Sequence, residues 1–314
     1  MAEKTCIQPF LEQQGVLVLD GGLATELEHT GFNLDDSLWS ARLLEEAPQS
    51  IAKVHRDYLE AGADCIISAS YQATLQGFMS QGASEADAEE RIRRAVRIAT
   101  DERDSFWAET SNRVGRQKPL VAASVGPYGA YLANGAEFTG DYDLDEDGLV
   151  HFHRRRWEIL CETTADLLAC ETIPSLAEAR ALRTLLDEAD GTEAWFSFSC
   201  RDGKHISDGT PIVRCVEELD SMPSVVAVGI NCTAPKHILS LVRAVRTVTG
   251  KPIVVYPNSG EVYDAKTKSW SGTALPEELA SASRAWYEAG ARLLGGCCRT
   301  RPAHIRRIRL ELCF

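Results

Sequence analysis

Three cysteines carry the strongest chemical signal in the chain. Cys232 ends the apolar run VVAVGINC (225–232), and Cys297 and Cys298 stand side by side at the end of RLLGGCC (292–298). Vicinal cysteines do not readily close a disulfide on each other, and adjacent strand residues point to opposite faces. Thiolates are nucleophiles and soft metal ligands. Three of them gathered at one point would hold zinc and leave one tetrahedral position open to a substrate. A zinc-bound thiol is deprotonated outright, whereas a free thiol of pKa about 8.5 is only a few per cent thiolate at neutral pH. At about 1.4 kcal/mol per pKa unit, coordination would remove a deficit of about 2 kcal/mol. The chemistry that fits is alkylation of a bound substrate thiol. No CxxC or HExxH pattern marks the site locally. A structural site completed by histidine, a reactive vicinal dithiol and ordinary core cysteines are the other readings of these residues.

The elements around the cysteines decide whether they can meet. Eight short apolar runs recur along the chain, at 16–22, 65–70, 119–126, 167–172, 194–200, 225–232, 252–258 and 292–298. Each has the length of one strand and is apolar on both faces, as buried parallel strands are. Amphipathic stretches at 50–63, 84–109, 175–189, 235–250 and 276–291 lie between them. Gly62 stands at the end of the first, and Ser175 with Glu178 gives the third a capping-box start. This alternation, without a repeat or low-complexity linker, predicts one (β/α)8 TIM barrel over residues 1–314. A doubly wound sheet would want a GxGxxG turn after its first strand, and DGGLATE is not one.

In such a barrel the C-terminal strand ends ring one mouth, where active sites form. The residues at those ends are Asp20, Ser68 with Ser70, Ser124, Glu171, Cys232, Asn258 and the Cys297–Cys298 pair. Strands six and eight are separated by one strand, so their ends lie about 10 Å apart. Two cysteine side chains and two Zn–S bonds of about 2.3 Å span that gap. Gly295 and Gly296 would let the chain bend so that both following thiols aim at one point.

Composition narrows the partners. The net charge of −13 is a poor match for nucleic acid or anionic lipid and tolerates a cationic small molecule. No apolar run approaches the length of a membrane span. MAEKTCIQPFLEQQG lacks the features of a secretory signal, so a cytoplasmic address is expected. Ten cysteines in such a chain read mostly as buried thiols rather than a disulfide framework. HFHRRRWE (151–158) places His151 and His153 two apart, on different sides of a helix, and reads as a helix start with a solvated or salt-bridging basic face.

The chain strongly resembles the cobalamin-independent homocysteine S-methyltransferases, the bacterial and plant type that uses S-methylmethionine. LDGGLATELE, DSLWSA, SASYQAT, SVGPYGAYLANG, FHRRR, ACETIP, VGINC, VVYPNSGE and GGCCRT carry the resemblance over essentially the whole length. It implies that Cys232, Cys297 and Cys298 hold a single zinc ion per chain that activates homocysteine. It also implies that Asp20 and Glu171 lie near the homocysteine ammonium, and that Gly21 and Ser68 contact its amino-acid backbone. Trp39 and Tyr128 match aromatic candidates for the methyl sulfonium, a cation that aromatic faces attract. No further catalytic residue is expected beyond the zinc-activated thiolate. S-methylmethionine is the expected donor and S-adenosylmethionine a poorer one. Betaine fits less well, because Thr172 stands where betaine-using relatives carry a tyrosine.

Overall fold

All eight apolar runs form strands of one parallel sheet in the computed structural model, which describes residues 4–34, 39–264, 269–271 and 275–313. We number them β1 (Leu17–Val18), β2 (Cys65–Ile67), β3 (Leu120–Val125), β4 (Leu167–Ile173), β5 (Ala194–Phe198), β6 (Val225–Asn231), β7 (Ile253–Tyr256) and β8 (Ala291–Leu294). Strands β2 to β8 pair in chain order, and β8 pairs with β1. A parallel bridge between Leu19 and Cys65, with Asp20 N–H donating to the Cys65 carbonyl at 3.1 Å, joins β1 to β2 and closes the ring. The expected (β/α)8 barrel is the observed architecture.

Strand periodicity sets what the barrel holds. Side chains alternate between the interior and the helical layer. Leu19, Ala122, Ala169, Trp195 and Val254 belong to the interior cluster, while Val18, Val121, Leu168 and Val255 pack in the larger core outside it. Two residues beyond Ala122, Ala169 and Trp195, the inward face presents Ser124, Glu171 and Ser197. The apolar filling therefore gives way to a polar layer toward the C-terminal strand ends. An active site on this fold is built on such a layer.

The opposite end is closed by a helix absent from the sequence-based reading, Gln8–Gln14, which starts with Pro9 in its first turn and stops at Gly15 in the left-handed conformation (φ 78°). Ile7 and Phe10 at its start join the interior cluster. Cys6 N–H donates to the Glu193 carboxylate (2.9 Å), and Gln117 Nε2 donates to the Pro9 carbonyl (2.9 Å). Both partners precede strands, so the helix is strapped across the N-terminal mouth.

The helical layer follows the sequence pattern. Helices occupy Pro48–Ala61, Glu85–Ala108, Leu176–Glu188, Pro235–Arg246 and Pro276–Glu288. Gly62 ends the first with φ 106°, and the Ser84 hydroxyl caps the second by accepting from Asp87 N–H at 3.2 Å. The helix containing HFHRRRWE begins earlier than that motif, at Glu146, because Asp145 caps it through Gly148 N–H at 2.9 Å. A two-stranded antiparallel hairpin, Val262–Asp264 with Ser269–Ser271, follows β7. Among the described residues no helix is long and apolar enough to cross a membrane.

Close backbone approach, rather than a left-handed turn, explains the glycines before the cysteine pair. Neither Gly295 nor Gly296 has a positive φ. A Cβ at Gly295 would lie 2.6 Å from Leu19 Cβ and 2.7 Å from the Asp20 carbonyl oxygen, and one at Gly296 would overlap Thr300. The bend expected there is thus a tight packing of the β8 exit against the β1 exit. Gly229, inside β6, is a third such point: a Cβ would overlap the Val254 carbonyl oxygen. Gly229→Ala should force β6 from β7 and cost about 3 kcal/mol, read as a lower urea midpoint. A midpoint equal to wild type would show that the strands part freely there.

Candidate metal centre

The thiol cluster is built by backbone bonds between neighbouring strand exits. Cys232 leaves β6 with φ 46°, while its N–H still donates to the Tyr256 carbonyl at 3.2 Å. The segment after β7 holds the other two cysteines: Cys297 N–H donates to Pro257 O (2.7 Å), and Ser259 N–H donates to Cys298 O (3.0 Å). From the β1 side, Gly296 N–H donates to Asp20 O at 3.0 Å. Thr300 Oγ1 donates to Cys297 O at 2.6 Å.

These bonds bring the three sulfurs within 4.8 Å of one another. Cys232 Sγ lies 3.6 Å from Cys298 Sγ, and Cys297 Sγ lies 3.9 Å from Cys298 Sγ. Tetrahedral coordination with Zn–S of about 2.3 Å requires S···S separations of about 3.8 Å, which these two values bracket. The residues therefore fit a soft tetrahedral cation with a fourth position left over. Among the described residues, no histidine or carboxylate joins the three thiols in a metal-binding group. Their charge is unevenly placed. The Cys298 thiol is held well below its ordinary range by hydrogen bonds from Cys232, then Cys297, while hydrogen bonds with Cys297, then Cys298, and burial push Cys232 well up. A cluster that already stabilises one thiolate is a donor set for a cation.

Two buried carboxylates accompany the cluster. Asp20 is buried, and its Oδ2 accepts from Ile67 N–H at 2.8 Å. Burial pushes its pKa well up, and the neighbouring Glu171 adds to the rise. Glu171 accepts from the Ser124 hydroxyl, with Tyr256 as a second donor, yet burial still lifts it to about 7. Ser68 Oγ, 2.8 Å from Ser70 Oγ, accepts from Ser124 N–H at 3.2 Å, so Ser68 stands directly behind the Glu171 partner. Gly21 packs so tightly that a Cβ would lie 2.9 Å from both Thr300 Oγ1 and the Tyr58 ring. Neutral hydrogen bonds alone hold these acids, which makes the pocket a counter-charge for a cation.

Asn231, which the sequence reading passed over, links the acid to the cysteine. Its Oδ1 accepts from Thr172 N–H (2.7 Å), and its Nδ2 donates to Thr172 Oγ1 (2.8 Å). Thr172 follows Glu171 and Cys232 follows Asn231, and both followers have positive φ, 59° and 46°. Tyr256 was also missed. Its hydroxyl meets Trp195 Nε1 (3.1 Å) and Ser197 Oγ (2.6 Å) as well as Glu171. Its place two residues beyond Val254 was the available signal.

The aromatic candidates separate. Tyr128 is half-buried among Phe152, Tyr142 and Tyr131, with ring centroids 4.8, 5.3 and 5.9 Å away. Trp39 opens a short 3-10 turn, Trp39–Arg42, and its side chain lies outside the described residues.

Behind Tyr128 sits a buried charged network that corrects the reading of HFHRRRWE. His151, Arg154 and Arg155 do face outward, and the two arginines pair with Glu188, Glu89 and Glu158. His153 and Arg156, three apart on the same helix, are buried instead. His153 Nε2 lies 2.8 Å from Glu178 Oε1, and Arg156 Nη2 donates to the Gly126 carbonyl at 2.6 Å and lies 2.7 Å from His153 Nδ1. Glu178 also accepts from Tyr128 N–H (2.6 Å) and the Tyr142 hydroxyl (3.0 Å). The Ser175 hydroxyl caps its helix as expected, accepting from Glu178 N–H at 3.2 Å. The Glu178 carboxylate, however, serves the network rather than the reciprocal half of a capping box.

The homocysteine S-methyltransferase family model matches residues 17–312. The chain is similar to the homocysteine S-methyltransferase YbgG of Bacillus subtilis, 54% identical over 302 residues that cover 96% of each chain. The oxidised form of the Escherichia coli homocysteine methyltransferase MmuM superposes with a TM-score of 0.89 at 45% identity, covering 98% of this chain and 100% of that one. Its metallated form gives 0.87 at 46% identity, over 97% and 99%.

Removing Glu178 leaves His153 Nε2, the Tyr128 N–H and the Tyr142 hydroxyl without their acceptor, and takes away the negative charge nearest to buried Arg156. Glu178→Ala should cost about 3–5 kcal/mol in urea unfolding while leaving metal content unchanged. A cost below about 1 kcal/mol would show that the network does not hold the mouth.

Proposed function

The chain belongs to the homocysteine S-methyltransferase family and is an enzyme of that activity, and we propose that it takes the methyl group from S-methylmethionine with zinc held by Cys232, Cys297 and Cys298. The observation that carries this reading is the convergence of three sulfurs within 4.8 Å at the mouth that Asp20 and Glu171 line. Zinc in that site would supply the charge that keeps the homocysteine thiol deprotonated at neutral pH.

The chain's own residues supply position. Asp20 and Glu171 hold the homocysteine ammonium by charge-assisted hydrogen bonds, and Gly21 and Ser68 contact its backbone. Anchoring the amino-acid end fixes where the sulfur points, which lowers the entropic part of the barrier. Tyr128, with Trp39, faces the sulfonium of the donor. As the new bond to the homocysteine sulfur forms, the methyl–sulfur bond of the donor breaks and its electron pair neutralises the sulfonium. The thiol proton passes to solvent, and with S-methylmethionine both organic products are methionine. S-adenosylmethionine serves as a poorer donor. The partners are small molecules rather than nucleic acid, in keeping with a net charge of −13. Ten free thiols suit a reducing compartment, and we place the enzyme in the cytoplasm.

Methionine formation from homocysteine and S-methylmethionine, assayed before and after chelation, tests the reading. Chelation should reduce turnover to background and zinc should restore it. Cys298→Ser should lose bound metal and turnover together, by at least about 100-fold. Full turnover in metal-depleted protein would overturn the zinc role.

Glu171 gives a pH signature. A carboxyl raised to about 7 loses its charge as pH falls through that value, and only the charged form grips an ammonium. The KM for homocysteine should therefore rise about tenfold per unit below pH 7. Glu171→Gln should show a raised KM without that slope. An identical slope in the variant would assign the titration elsewhere.

A further inference from the structure

We propose that Glu137, together with the side-chain carbonyl of Asn258, holds the α-ammonium group of the methyl donor and so selects an amino-acid sulfonium; this rests on the donor reading given above. The homocysteine contacts proposed above use neither residue.

The position of Glu137 is set by its backbone. It lies in the short 3-10 turn Ala136–Phe138, after the helix Tyr128–Leu132 that follows β3. A Cβ at Gly129 would overlap Glu137 N, so only glycine lets the two segments touch. Ser199, just past β5, donates its hydroxyl to the Glu137 carbonyl at 3.0 Å. The turn is therefore held between the exits of β3 and β5, over the exit of β4 that carries Glu171. From there the carboxylate lies within electrostatic reach of Cys298 and of Tyr71.

Its Oε2 is buried and has no hydrogen-bond partner among the described residues. The same is true of Asn258 Oδ1. Asn258 lies between Pro257 and Ser259, whose backbone groups hold Cys297 at 2.7 Å and Cys298 at 3.0 Å. Two acceptors without donors thus belong to the thiol side of the mouth. Unsatisfied buried acceptors are costly, and a charged one more so, until a donor arrives.

The chemistry of the acceptors identifies the group they take. Both need N–H or O–H donors, and a sulfonium has neither. The homocysteine ammonium is already matched by Asp20 and Glu171 on the reading given above. The second substrate, S-methylmethionine, carries another ammonium with three N–H groups, enough for a carboxylate and an amide carbonyl together. Its methyl sulfonium is then left to point along the mouth toward the homocysteine sulfur.

Calorimetric binding to the zinc-loaded enzyme tests this with two probes: S-methylmethionine, and the analogue with hydrogen in place of its α-amino group. Glu137→Gln should weaken S-methylmethionine by about tenfold or more, leave the deamino analogue bound as in wild type, and keep homocysteine affinity and metal content. Asn258→Ala, read the same way, carries the test should Glu137→Gln not fold. Equal binding of S-methylmethionine by wild type and variant would overturn the assignment and leave the donor reading intact. So would an equal loss for both probes, which would put Glu137 against the sulfonium. Failure of wild type to bind S-methylmethionine would remove the donor reading and this inference with it.

Discussion

One side-chain amide holds the acid and the metal-binding thiol in register. Asn231 gives both its oxygen and its nitrogen to Thr172, at 2.7 and 2.8 Å. The two residues that follow Glu171 and Asn231 have positive φ, a conformation that costs a side-chain-bearing residue of order 1–3 kcal/mol and persists only where its surroundings over-determine it. The amide clamp is part of that over-determination for Thr172, and the Cys232 N–H bond to Tyr256 O is part of it for Cys232. Glu171 and Cys232 stand on strands separated by β5, so the clamp reaches past β5 rather than merely joining neighbours. Loosening it would shift Glu171 and Cys232 relative to each other.

Electrostatically, the mouth is a set of negative groups kept from water. Burial raises Asp20, Glu171 and Glu137, and the thiol cluster concentrates charge on Cys298. Holding these groups close together without cations is unfavourable. On the reading proposed above, positive charge comes to this same region: a metal, the ammonium groups of the substrates and the donor's sulfonium. Of these, only the sulfonium loses its charge during methyl transfer, so the pocket must orient that charge without holding it too tightly. Aromatic faces, which attract cations weakly and give no hydrogen bond, suit that task better than a carboxylate would.

Much of this was legible in the sequence because a barrel converts strand order into position. The eight runs, the helices between them and the three cysteines at the ends of β6 and β8 needed no more than period-two alternation and the rule for where parallel strands end. Residues whose type has a common bland use were not legible. Glu178 behind Ser175 reads as half of a capping box, and Arg156 within HFHRRRWE reads as one more surface arginine. Only the packed structure shows both turned inward, Arg156 onto His153 and His153 onto the Glu178 carboxylate. The glycines before the cysteine pair show the same limit. A glycine required by an approaching strand and one required by a turn look alike in one dimension, and here Leu19 and Thr300 decide between them.

The helix Gln8–Gln14 has a consequence for traffic. Ile7 and Phe10 add the last layer to an interior cluster that already fills the barrel, so the polar layer has a closed floor beneath it. On the proposed reading, acceptor and donor therefore share one doorway, and so do the two molecules that leave. A substrate held by the buried acids would go in ahead of its co-substrate and come out behind it. With the proposed donor, a closed floor would turn a symmetric-looking exchange, one methionine skeleton handing a methyl to another, into a queue.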